Sequence, residues 1–117
     1  MVQIFNEKMT KEQIVQSPKD CVLDGVITSI EKGLFSEFLD EKVHNKFDNL
    51  ERPTLNIKFE CKFQDRTVKG NESIAYYEEP MSNSILGKFL DKYSELKAGQ
   101  VIKVDYNGKG FGYIKVD

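Results

Sequence analysis

Thr54-Leu55-Asn56-Ile57-Lys58-Phe59-Glu60-Cys61-Lys62-Phe63 is the stretch on which the fold turns. Leu55, Ile57, Phe59, Cys61 and Phe63 take every second position, and Thr54, Asn56, Lys58, Glu60 and Lys62 fill the places between. Successive side chains of an extended chain point to opposite sides, so this strict alternation reads as a strand with one buried and one outward face. Gln64-Asp65 follows as a tight turn, and Arg66-Thr67-Val68-Lys69 returns as the partner strand. Gly70-Asn71 is expected to break that strand, with Glu72 to Tyr77 resuming it.

Toward the C-terminus, residues 82–97 place Ile85, Leu86, Phe89, Leu90, Tyr93 and Leu96 at helical spacing, which makes one apolar stripe. Ser82, Asn83 or Ser84 can cap this helix after Pro80, and Gly99 ends it. Two more strands follow, Gln100 to Tyr106 and Phe111 to Val116. Asn107-Gly108 between them is a hairpin signal, because both residues tolerate positive φ.

Toward the N-terminus, residues 20–31 read as the first strand. Their apolar residues fall on both phases, Val22, Val26 and Ile30 on one and Cys21, Leu23 and Ile27 on the other. A strand buried on one face only would not do this, whereas a bent strand shared by two sheets would. Gly25 is placed for the bend or bulge. Residues 32–53 form a long connection with room for a helical turn, and Leu34, Phe35, Phe38, Leu39, Val43, Phe47 and Leu50 make it too apolar for a plain loop. Thr10-Lys11-Glu12-Gln13 has the spacing of a capping box, so a short N-terminal helix is expected before Ser17-Pro18. Residues 1–19 then form an extension packing on the rest.

The chain has 117 residues, 39% of them hydrophobic and 31% charged, which suits one globular domain spanning 1–117. No apolar run is long enough to cross a bilayer, and the first residues lack the basic flank and apolar core of a signal peptide. A cytoplasmic protein with no membrane partner is expected. Cys21 and Cys61 read as small buried apolar residues rather than a disulfide. With the single His44 they supply too few ligands for a metal centre, and no cofactor is expected.

Catalysis finds little footing. His44 lies among charged residues and reads as a solvated loop histidine. Asp40-Glu41 and Glu78-Glu79 are neighbours along the chain, not carboxylates converging from different elements. Gly108-Lys109-Gly110-Phe111-Gly112 lacks the helix that follows a phosphate-binding loop. A binding protein, not an enzyme, is expected. The net charge is −2, but it is unevenly spread. Residues 52–69 carry Arg52, Lys58, Lys62, Arg66 and Lys69 against Glu60 and Asp65, whereas 18–51 are acidic.

Strand, long loop, hairpin, helix and hairpin make a mainly β fold with one or two helices, five strands, and a helix between strands three and four. Asp24-Gly25-Val26-Ile27-Thr28-Ser29-Ile30 resembles the first strand of OB-fold domains of the replication protein A type. Leu96-Lys97-Ala98-Gly99-Gln100-Val101-Ile102-Lys103-Val104-Asp105-Tyr106 resembles their passage from helix through glycine to strand four. The resemblance covers about residues 20–117 and is one of layout. It implies a five-stranded barrel whose bent first strand joins both sheets and whose helix plugs one end. It further implies that single-stranded DNA or RNA binds, with little sequence preference, on the outer face of strands two and three.

The positions this resemblance singles out are Asn56, Lys58 and Lys62 on strand two and Arg66 and Lys69 on strand three. Lys109 on the four–five hairpin and Lys46 and Arg52 on the long loop join them. Phe35, Phe47, Tyr76, Tyr77 and Tyr113 are the rings available for stacking on bases. Glu60 between the two strand-two lysines, and the acidic balance, keep a protein-interaction or assembly module on the same barrel as the alternative.

Overall fold

The computed structural model describes residues 18–93 and 96–116, so the helix expected near Thr10 lies outside the described residues. β1 runs Cys21–Leu34, β2 Pro53–Phe63, β3 Arg66–Ala75, α1 Ile85–Tyr93, β4 Val101–Tyr106 and β5 Gly112–Ile114. Two 3-10 turns, Phe35–Phe38 and Glu41–Lys46, occupy the connection from β1 to β2. The strands pair antiparallel in the order β3-β2-β1-β4-β5 and curl into a nearly closed barrel. Five strands with a helix between the third and fourth is compatible with an OB-like fold.

β1 is long because it serves two partners. Cys21 to Val26 pair with β4, and Gly25 to Leu34 pair with β2. The register slips between Ile27 and Ser29. The extra residue is therefore Thr28, not the expected Gly25. The slip switches the inward phase, so Leu23 and Ile27 face the core before it and Ile30 after it. That explains the apolar residues on both phases. Gly25 is glycine for another reason: a Cβ there would lie 2.7 Å from Cys61 Sγ.

β3 is not broken at Gly70-Asn71. It pairs with β2 without interruption from Arg66 to Ala75. Gly70 lies directly opposite Phe59, whose ring covers it so closely that a Cβ would stand 2.7 Å from Cζ. The glycine makes room for a ring and does not end a strand. Gly112 stands in the same relation to Tyr106, opposite it in the β4–β5 pair.

Gln64 and Asp65 join β2 to β3 with φ of 49° and 63°, the left-handed pair a two-residue hairpin needs. The β4–β5 connection does not use the expected positive φ at Asn107-Gly108. Asn107 keeps negative φ, and its side-chain Oδ1 accepts from the Lys109 and Phe111 N–H groups. The positive φ falls on Gly110.

The helix is shorter than the apolar stripe suggests. Ser84 caps it, accepting from the Gly87 N–H at 2.9 Å. Leu86 and Phe89 reach the barrel core among Ile57, Phe59, Ile74 and Val104. The Tyr93 hydroxyl ties the helix end to the barrel, donating to the Lys115 carbonyl at 2.6 Å and accepting from the Lys103 N–H at 3.1 Å. Among the described residues no helix is long and apolar enough to cross a membrane.

Candidate nucleic-acid interface

The register fixes which side chains share the outer face of the β2–β3 hairpin. Lys62 lies opposite Thr67, Glu60 opposite Lys69, Lys58 opposite Asn71, and Asn56 opposite Ser73. Directly opposed residues of an antiparallel pair project to the same side, so these eight form one surface. Lys62, Thr67 and Lys69 are exposed, and Lys58 is half-buried. Lys62 Nζ donates to Thr67 Oγ1 at 3.1 Å. Glu60 faces Lys69 at 3.8 Å, a loose surface pair that neutralises one cation only in part.

Asn56 differs from its expected outward position. It is on the predicted phase but only 5% exposed, and its Nδ2 donates to Ser73 Oγ at 2.9 Å and to Asn71 Oδ1 at 3.3 Å. An amide so engaged braces the two strands. Arg66 departs as well: it pairs with Phe63 on the opposite phase from the lysines, with its guanidinium over the Phe63 ring at 5.6 Å.

Next to this face, the loop between β1 and β2 has its own small core. Phe35 and Leu39 are buried, with Phe38, Val43, Phe47 and Leu50 packed around them. Phe35 and Phe47 meet edge to face at 5.3 Å, and the buried Phe35 has no face open to a base. His44 is not the solvated residue expected. It is half-buried, and its Nε2 lies 3.2 Å from the Ser36 carbonyl and 3.3 Å from the Leu39 carbonyl. Donation from that nitrogen ties the first 3-10 turn to the second. Lys46 ends the second turn, exposed.

The tyrosines fare differently. Tyr76 and Tyr77 follow β3 at the rim of the barrel, and each carries a cation. Lys32 Nζ lies 4.0 Å from the Tyr76 ring centroid, and the Arg52 guanidinium lies 5.5 Å from that of Tyr77. Arg52 Nη2 also donates to the Tyr77 hydroxyl. Tyr113 is half-buried on β5 opposite Asp105, and Lys109 is exposed on the β4–β5 connection. Asp20, Asp105, Tyr113 and Lys115 flank an open cleft of about 550 Å³ there, with two carboxylates against one ammonium.

Sequence reasoning passed over Glu72. It lies opposite Ile57 on the inward phase of β3 and is 2% exposed. Its Oε1 accepts from the Ile114 N–H of β5 at 2.7 Å, so a side chain bridges β3 and β5 where the barrel closes. Burial raises its carboxyl to about 7, against the pull of the Ile114 hydrogen bond. Burial, and the nearby Glu72, push up the Tyr113 hydroxyl. The signal was available: once β3 is read through Gly70, Val68, Glu72 and Ile74 share one phase. Deeper in, burial raises the Cys61 thiol and the Tyr106 hydroxyl beside it. That hydroxyl has no hydrogen-bond partner of good geometry, the sulfur being a weak acceptor. Both cysteines are free thiols. Among the described residues no cluster of His, Cys, Asp and Glu is arranged to hold a metal ion.

No protein-family model, no curated protein and no solved structure matches this chain. The functional reading therefore rests on side-chain chemistry.

Proposed function

We propose that this protein binds single-stranded nucleic acid on the outer face of β2 and β3, with little sequence preference and without catalysing a reaction. One observation carries the reading. Lys58, Lys62 and Lys69 share one sheet face, interrupted only by Glu60, although the whole chain is acidic. Cations in a row follow a phosphate backbone, and phosphate contacts carry no base information. On the same face, Asn56 donates to Ser73 and Asn71 and so braces the two strands beside the lysines. A protein-docking role has less behind it. Val22 and Val101 are exposed on the outer face of β1 and β4, but the Asp24–Lys103 ion pair at 2.6 Å divides them.

Fluorescence anisotropy of a labelled single-stranded oligonucleotide tests the proposal against a Lys58→Glu/Lys62→Glu variant. Both side chains reach solvent, so the variant is expected to fold. Binding at low salt that weakens at least tenfold in the variant supports the face; equal affinity of the two proteins moves the site elsewhere.

A further inference from the structure

β1 and β3 end and β2 begins at one rim of the barrel, and the two tyrosines that follow β3 lie there. The Tyr76 N–H donates to the Pro53 carbonyl at 3.0 Å, which extends the β2–β3 ladder by one step. Lys32 comes to the Tyr76 ring from β1, and Arg52 comes to Tyr77 from the end of the long loop. Neither cation has a carboxylate partner among the described residues. Tyr76 packs partly against the core, whereas Tyr77 is 42% exposed.

Two rings and two cations that form no ion pair with a carboxylate among the described residues, crowded at the end of a lysine-bearing face, match the two halves of a nucleotide. An aromatic face takes a base by stacking, and a neighbouring guanidinium or ammonium takes its phosphate. Resting the cations on the rings also holds them near the site before ligand arrives. We propose, on the strength of the single-strand reading above, that Lys32, Arg52, Tyr76 and Tyr77 form a nucleobase-stacking subsite at the rim. An unpaired base stacks on Tyr77, and its flanking phosphate meets Arg52 and Lys32. This subsite, not the lysine row, separates single strands from duplex, because a duplex keeps its base faces against one another.

The chain has five tyrosines and no tryptophan, so tyrosine emission reports on the rings directly. The probes are oligothymidylate and an abasic oligonucleotide of equal length, which has the same phosphates and no bases. Wild-type protein is expected to bind oligothymidylate more tightly, with tyrosine quenching that the abasic strand does not produce. Tyr77→Ala is expected to lower oligothymidylate affinity by roughly five- to hundredfold, the loss of one stacked base. Its affinity for the abasic strand falls much less, because only the anchoring of Arg52 on the ring is lost there; Tyr77→Phe retains the stacking, and Lys58→Glu/Lys62→Glu weakens both probes. Wild-type affinity of Tyr77→Ala for oligothymidylate overturns the subsite, while a defect in the lysine variant still upholds the face. Failure of the wild-type protein to bind either strand overturns both.

Discussion

Glu72 is a carboxyl group inside a barrel, where an apolar side chain would ordinarily stand. Its folded pKa of about 7 lies above the ordinary 4.5. Between those values the unfolded chain has released this proton and the folded one still holds it, so stability falls as pH rises through the window. Below about 4.5 both states are protonated and the penalty vanishes; above about 7 it is complete, on the order of 3 kcal/mol. Glu72→Gln keeps an oxygen for the Ile114 N–H and removes the charge. Urea unfolding at pH 5, 6, 7 and 8 is expected to show wild-type stability declining across the series while the variant stays level and gains most at pH 8. Parallel pH profiles would contradict the assignment. Gly70 offers a second test at this scale. Gly70→Ala drives a methyl into the Phe59 ring, with a Cβ at 2.7 Å, and overpacking of that kind costs about 1–3 kcal/mol. In a Phe59→Leu background the ring is gone and the same substitution is expected to cost far less, a coupling that denaturant midpoints of the four proteins measure.

At the scale of elements, the loop between β1 and β2 behaves as a small folded unit. Its base is closed by Phe35 N–H to the Arg52 carbonyl at 3.0 Å and Ser36 N–H to the Leu50 carbonyl at 2.8 Å. His44 joins its two turns. His44→Ala is therefore expected to speed amide hydrogen exchange at Leu39, Val43 and Phe47 while the amides of β1 and β2 keep their protection; faster exchange throughout the barrel would show that the histidine supports the whole fold. The same scale separates what was legible in the sequence from what was not. The alternation of residues 54–63 and the apolar stripe of α1 are local patterns, and β2 and the helix follow them. The bulge at Thr28 is not local, since it arises where β1 exchanges β4 for β2 as partner. Gly70 misleads as a strand breaker because its reason, the Phe59 ring, sits across the hairpin. In the candidate site, the lysines of β2 and β3 could be placed by counting residues. The burial of Asn56 and the ring contacts of Lys32 and Arg52 could not, because they depend on tertiary packing.

Taken whole, the molecule carries a net charge of −2 yet keeps three lysines on one face and two more cations over rings at the rim. Acidic balance weakens long-range attraction for a polyanion, so the proposed binding requires affinity from contacts at the face, and such affinity fades as salt competes for them. The measurement that tests this most directly is the affinity of the wild-type protein for a single-stranded oligonucleotide across a salt series. Three phosphate contacts from Lys58, Lys62 and Lys69 give a logarithmic slope of about −2 for single strands. A slope near that value, steepened by any phosphates that Arg52 and Lys32 add, is the expected result. No binding at the lowest salt, or binding that salt leaves unchanged, would contradict the account.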